Sequence, residues 1–94
     1  MAVYVIGRIV IKDPAKWASY REQVPATLAP WGAEVMLRGS ALPALGGQSD
    51  AGDVVVVRYP DAASMRGWFD SPAYQALIPL REQAADVVLT AYET

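Results

Sequence analysis

Four segments of the chain carry their apolar residues in strand fashion, and the segments between them repeat apolar positions at helical spacing. Val3–Lys12 (VYVIGRIVIK) is rich in β-branched residues and reads as the first strand. Asp13-Pro14 follows with a capping side chain and a proline suited to the first helical position. Trp17, Tyr20, Val24 and Leu28 then recur every three or four residues, which predicts a helix. Pro25 within it predicts a kink or a split, and Gly32 ends it. Ala33–Gly39 reads as the second strand. Ser40–Gly52 is a long connection with a short extended piece expected at Ala41–Leu45; connections of this length more often serve function or a partner than stand idle. Asp53–Tyr59 (DVVVVRY) is the third strand, closed by Pro60. Asp61 caps a short helix through Asp70, with Met65, Trp68 and Phe69 as its apolar side. Ser71-Pro72 repeats the capping signal and starts a further helix bearing Tyr74, Leu77, Ile78, Arg81 and Ala85, which Pro79 interrupts. Val87–Glu93 is the last strand. The order β-α-β-β-α-β is the ferredoxin-like pattern, an α+β fold whose four-stranded antiparallel sheet carries its helices on one face. The 94 residues fit one domain, 1–94.

Side chains alternate across a strand, so parity sorts the sheet into two faces. One class holds Val3, Val5, Gly7, Ile9 and Ile11, with Val35, Leu37, Val55, Val57, Tyr59, Val87, Leu89 and Ala91. It is nearly all apolar and is expected to lie under the helices. The other class mixes Ile6, Val10, Met36, Val54, Val56 and Val88 with Tyr4, Arg8, Glu34, Arg38, Arg58, Thr90 and Tyr92. Parity thereby places Arg8, Arg38 and Arg58 together, although a one-residue bulge would reverse a strand's membership. Two helices cover only one face. The second face is too apolar for open water, and an identical subunit set sheet against sheet about a two-fold axis is the simplest cover.

Composition sharpens this picture. The chain is 53% hydrophobic and 19% charged, few charges for the surface of so small a monomer, which again points to a partner subunit. The eight Lys and Arg are scattered and the net charge is −2, which argues against nucleic acid as a partner. No apolar run approaches a membrane span, and Ala2–Ile6 reads as a strand rather than a secretory leader, so no membrane partner and a cytoplasmic location are expected. There is no cysteine and no histidine, which removes disulfides, thiolate chemistry, histidine general bases and most zinc and haem ligation. The acidic residues form no spaced metal motif. No metal and no cofactor are expected.

The stretches VPATLAPWG (24–32), VVVVRYPD (54–61) and WFDSPAYQALIPLR (68–81), with Asp13-Pro14, Tyr20-Arg21 and Arg38-Gly39, resemble the domain-of-unknown-function family numbered 1330, in the dimeric α/β-barrel superfamily. The matches span nearly the whole chain. The last is the most specific, because it joins Trp, Ser-Pro, Tyr and Arg. Pro30 departs from the pattern, standing where an ordinary helix residue is expected. The resemblance implies ferredoxin-like subunits that pair into a barrel enclosing any ligand. It implies no reaction. Relatives of the same architecture include cofactor-free monooxygenases, haem-degrading enzymes, muconolactone-isomerase-like proteins and stress-response proteins, so fold alone does not assign an activity.

The candidate ligand-binding residues are Arg8, Arg38, Arg58, Tyr4, Tyr20 and Tyr92, and the candidate catalytic residues are Arg38, Arg58 and Glu34. A guanidinium in a partly dry pocket binds a carboxylate or phenolate through forked hydrogen bonds, and the competing reading is an interface ion pair, with Glu34 as the natural mate of Arg38 or Arg8. Tyr20, Trp31, Trp68, Phe69 and Tyr74 either wall a pocket or fill the helix–sheet core, and helical spacing favours core. Ser71 reads as a cap, since no histidine exists to activate it. Three functions stay open: an enzyme of monooxygenase-like or isomerase-like type working without cofactor on a small anionic or aromatic molecule in a dimer-enclosed pocket, a non-catalytic binding or stress-related module, and a purely structural homodimer.

Overall fold

A computed structural model describes residues 1–48 and 52–94; residues 49–51 of the long connection lie outside the described residues. Strand β1 (Val3–Ile11) leads into helix α1 (Pro14–Leu28), a 3-10 turn over Ala29–Trp31, and strand β2 (Glu34–Ser40). Strand β3 (Asp53–Tyr59) leads into helices α2 (Ala62–Asp70), α3 (Pro72–Gln75) and α4 (Ile78–Ala84), and strand β4 (Ala85–Glu93) closes the chain. The sheet order is β2-β3-β1-β4, with every neighbouring pair antiparallel. This is the ferredoxin-like βαββαβ arrangement.

The capping residues act as their chemistry dictates. Asp13 Oδ1 accepts from the Lys16 amide at 3.1 Å, and Asp61 Oδ1 from the Ser64 amide at 2.7 Å. Ser71 Oγ accepts from the Tyr74 amide at 3.3 Å, which is its role here rather than that of a nucleophile. Pro25 neither splits nor ends α1; the helix runs on to Leu28. Gly32 then takes the left-handed conformation (φ 65°) that stops the 3-10 turn. Pro79 falls in the first turn of α4, where its missing N–H costs nothing, so the helix expected from Ser71 onward is divided into α3 and α4. No strand forms at Ala41–Leu45: Ala41 donates to Gly52 O at 2.8 Å, and the pairing stops there.

Register sets the two faces. Val3, Val5, Gly7 and Ile9 of β1 are buried under the helices, opposite Tyr59, Val57, Val55 and Asp53 of β3. The core adds Trp17, Tyr20, Val24 and Leu28 of α1 with Trp68, Tyr74, Leu77 and Ala84. Gly7 admits this packing, because a Cβ there would stand 2.8 Å from Val55 Cγ1 and 3.1 Å from Leu89 Cδ2. The other face is bare. Met36, Leu37 and Val88 are 49%, 52% and 62% exposed, high values for large apolar side chains on one sheet face.

Candidate functional site

Strand β2 carries a β-bulge. Val35 pairs with Val57, yet Leu37 pairs with Val56, so Met36 is an extra residue opposed by none. Parity therefore reverses after Val35. Leu37 turns to the bare face, and Arg38, opposite Val55, turns to the helix face. The expected trio of arginines is divided: Arg8 and Arg58 lie on the bare face and Arg38 lies under α1. The catalytic grouping of Arg38, Arg58 and Glu34 is divided likewise. Glu34 stands opposite Arg58, on the side of the sheet away from Arg38, so it can neither pair with Arg38 nor move a proton beside it.

On the bare face, four expected residues do come together. Glu34, Arg58, Tyr4 and Tyr92 form one cross-strand row over β2, β3, β1 and β4. The next row is Leu37, Val56, Ile6 and Thr90, and the one beyond it holds Val54, Arg8 and Val88. Among the described residues the ion pairs are Lys12 with Asp86 (3.4 Å) and Arg66 with Asp70 (3.8 Å), so neither Arg8 nor Arg58 is neutralised by a described residue of its own subunit.

The helix face holds the cavity. The capped start of α1 sets Trp17, Tyr20, Arg21 and Val24 over β1, β3 and β2, and the Ser71 cap sets Tyr74 in the first turn of α3, facing the same space. The space among these side chains that water-sized groups can enter is small, about 40 Å³, and is partly open to solvent. Among the described residues its walls are apolar or aromatic apart from the tyrosine hydroxyls, Arg21 and Arg38, and no carboxylate lines it. Arg21 and Arg38 also border a shallower adjoining hollow with Ser40 and Asp53, so they stand at the rim. Partial burial lowers the Arg38 pKa from the usual arginine value, and the nearby Arg21 charge lowers it further. Neither guanidinium has an acidic partner among the described residues.

Deeper in, the rings form one connected group. Trp68 lies 4.0 Å from Tyr74 and 5.5 Å from Tyr59 between ring centroids, and Trp17 stacks on Tyr20 at 5.1 Å. Trp68 Nε1 donates to Thr27 Oγ1 (3.0 Å), which donates to the Val24 carbonyl (2.7 Å). Arg81 Nη1 donates to Tyr74 Oη (2.9 Å), and Tyr74 Oη bonds Tyr20 Oη (2.8 Å). Tyr59, fully buried, has a hydroxyl with no partner among the described residues. Tyr20 is thus both core and cavity wall. Trp68 and Tyr74, weighed from spacing as pocket wall or core, likewise serve as both, whereas Tyr59, Arg21 and Arg81 were not legible as site residues. The available signal was Tyr59 itself, a hydroxyl on an otherwise apolar parity class.

Burial raises the Tyr20 and Tyr59 hydroxyls well above the ordinary tyrosine pKa, and the neighbouring Tyr74 adds to both shifts. Each phenol holds its proton more tightly folded than unfolded. Their contribution to stability is therefore complete below about pH 10 and is lost as pH rises beyond it, by about 1.4 kcal/mol per pH unit for each tyrosine. Urea midpoints taken between pH 9 and 11 should show this decline, and Tyr20→Phe should halve its slope. A flat profile would show that the hydroxyls ionise freely in the folded chain.

Comparison with known proteins places this geometry in context. The family described as "Domain of unknown function (DUF1330)" matches residues 2–94. No curated protein matches the chain. Among solved structures, RPA0582 of Rhodopseudomonas palustris, a protein of unknown function, is similar with 18% identity and a TM-score of 0.80, over 99% of this chain and 82% of that one. SnoaB of Streptomyces nogalater, a cofactor-independent oxygenase, gives 13% identity and a TM-score of 0.72, over 99% and 92%. A dimeric protein of unknown function and ferredoxin-like fold from Bacteroides fragilis gives 13% and 0.63, over 99% and 96%. Likeness at such identities concerns the fold.

Proposed function

The chain belongs to the DUF1330 family, and from that premise we propose that it binds a small anionic or aromatic organic molecule in the cavity between α1 and the sheet, as a homodimer joined through the bare sheet face. The observation that carries this reading is the position of Arg38. The bulge at Met36 turns its guanidinium onto the rim of an aromatic, carboxylate-free cavity, beside a second unpaired cation, Arg21. Two like charges held together without an acidic partner among the described residues suit an anionic group of a ligand. The apolar walls suit its ring. Arg8, Arg58, Tyr4 and Tyr92 belong in this reading to the face met by the second subunit. The dimeric ferredoxin-like neighbour supports a homodimer.

Titration calorimetry with benzoate, hydroxybenzoates and short-chain carboxylates tests the assignment. Arg38→Ala should weaken the best-bound acid by about 10-fold or more, the worth of one charge-assisted hydrogen bond, while Arg58→Ala changes it less than about twofold. The reverse outcome would move the ligand to the sheet face. The likeness to a cofactor-independent oxygenase adds one arm: oxygen uptake accompanying loss of the bound ligand would extend the reading to catalysis.

A further inference from the structure

We propose that the hydroxyls of Tyr59 and Tyr20 form a donor subsite in the inner part of this cavity that takes the phenolate oxygen of a planar aromatic ligand. The inference rests on the cavity reading above and adds the chemical class of the ligand.

Tyr59 is the first argument. Its hydroxyl is wholly buried and has no partner among the described residues, in a side chain that borders the cavity, whereas buried donors in native proteins are almost always satisfied. A ligand oxygen would satisfy it.

The direction of the neighbouring hydrogen-bond chain is the second. Arg81 can only donate, so Tyr74 Oη accepts from it at 2.9 Å. Tyr74 is itself wholly buried and has one proton to place, and Tyr20 Oη at 2.8 Å is the acceptor within reach. Tyr74 therefore donates to Tyr20. Were Tyr20 to donate instead, the buried Tyr74 proton would be left without an acceptor. The chain runs Arg81 to Tyr74 to Tyr20, and the Tyr20 proton is free for the cavity. The Arg81 charge at its head polarises each bond in turn and strengthens Tyr20 as a donor toward negative charge.

Among the described residues no carboxylate lines the cavity, so neither donor meets an anionic acceptor there. Such a set favours an anionic oxygen over a neutral hydroxyl, which would bring a proton of its own. Burial keeps both tyrosines protonated across the working pH range, so they remain donors. The surrounding rings of Trp68, Tyr74 and Trp17 favour a flat ligand body.

4-Nitrophenol is the probe, because its two protonation states differ in absorbance, and nitrobenzene is the control that lacks the oxygen. The wild-type protein should bind the phenolate more tightly than the phenol, lowering the bound probe's pKa by about one unit, a tenfold preference. Tyr59→Phe should weaken phenolate binding about 10-fold and leave nitrobenzene within about twofold. Arg81→Gln, which acts through Tyr74 and Tyr20, should raise the bound probe's pKa toward its free value. Tyr59→Phe should also raise the ligand-free melting temperature by about 4 °C, because it removes an unsatisfied buried hydroxyl. A lower melting temperature would show that the hydroxyl has a partner in the fold and would overturn the subsite. Equal phenolate affinity in wild type and Tyr59→Phe, with nitrobenzene still bound, would overturn the subsite and leave the cavity reading intact. Binding of neither probe would overturn both.

Discussion

Ile6→Lys is expected to split the proposed homodimer while leaving each subunit folded. Ile6 lies in the central strand β1, between Val56 of β3 and Thr90 of β4, on the face turned away from the helices. No core contact under the helices depends on it, so the isolated fold should survive. In a sheet-to-sheet dimer the same position lies beneath the partner. Arg8 and Arg58 flank it on that face and add like charge rather than a counter-ion. Burying such a cation unpaired costs at least about 2 kcal/mol by mutational measure, and the two-fold axis applies the cost twice. A loss of about 4 kcal/mol raises the dimer Kd about a thousandfold. Sedimentation equilibrium on wild type and variant, beside circular dichroism to verify the subunit fold, gives the measurement. An unchanged dimer in the variant would show that the subunits pair through another surface. A monomeric wild type at micromolar concentration would leave the exposed Met36, Leu37 and Val88 without the cover assigned to them.

Trp68→Ala should carry the largest cost to the fold itself. Trp68 is 5% exposed, contacts the rings of Tyr59, Phe69 and Tyr74, and ties α2 to α1 through its Nε1 bond to Thr27. Removing a buried indole costs about 3–5 kcal/mol once the cavity left behind is counted. A domain of this size holds about 5–15 kcal/mol in total, so the variant should sit near its unfolding midpoint in mild urea. Trp68→Phe separates the two contributions. It keeps a ring in place and loses only the bond to Thr27, whose own hydroxyl still donates to the Val24 carbonyl, at a cost of about 1 kcal/mol beyond the smaller packing loss. If Trp68→Ala lowered stability by less than about 1 kcal/mol, the aromatic group could not be the element that holds the cavity walls together.

These two residues also mark how differently the two faces were legible. The bare side of the sheet is visible in alternation alone: Tyr4, Ile6, Arg8 and Val10 in β1, and Val54, Val56 and Arg58 in β3, keep the parity they have along the chain. The caps at Asp13, Asp61 and Ser71 were equally plain, because a short polar side chain before a proline or an apolar run has one favourable local use. The aromatic residues of the helices read as core: Trp17, Tyr20, Trp68 and Tyr74 are core, and Trp31 and Phe69 pack against it half-buried. That Tyr20, Trp68 and Tyr74 also border a cavity was one of two readings that spacing could not decide between, since a filled interior and a hollow one have the same periodicity.

Arg38 shows where local reasoning stops. Its neighbours Met36 and Leu37 obey a clean alternation with Glu34 and Val35, and that alternation is misleading. A bulge is defined by a count, two residues on one strand against one on the other, so it exists only once β2 is paired with β3. Element order, caps, the apolar floor under the helices and the absence of histidine and cysteine chemistry are properties of the chain taken residue by residue, and the sequence by itself determined them. Which side of the sheet receives Arg38, and with it the separation of the proposed ligand rim from the proposed subunit interface, was decided by the tertiary structure, as was the unpartnered state of the Tyr59 hydroxyl among the described residues. Both depend on contacts between segments far apart along the chain, where one extra residue or one missing acceptor has no local signature.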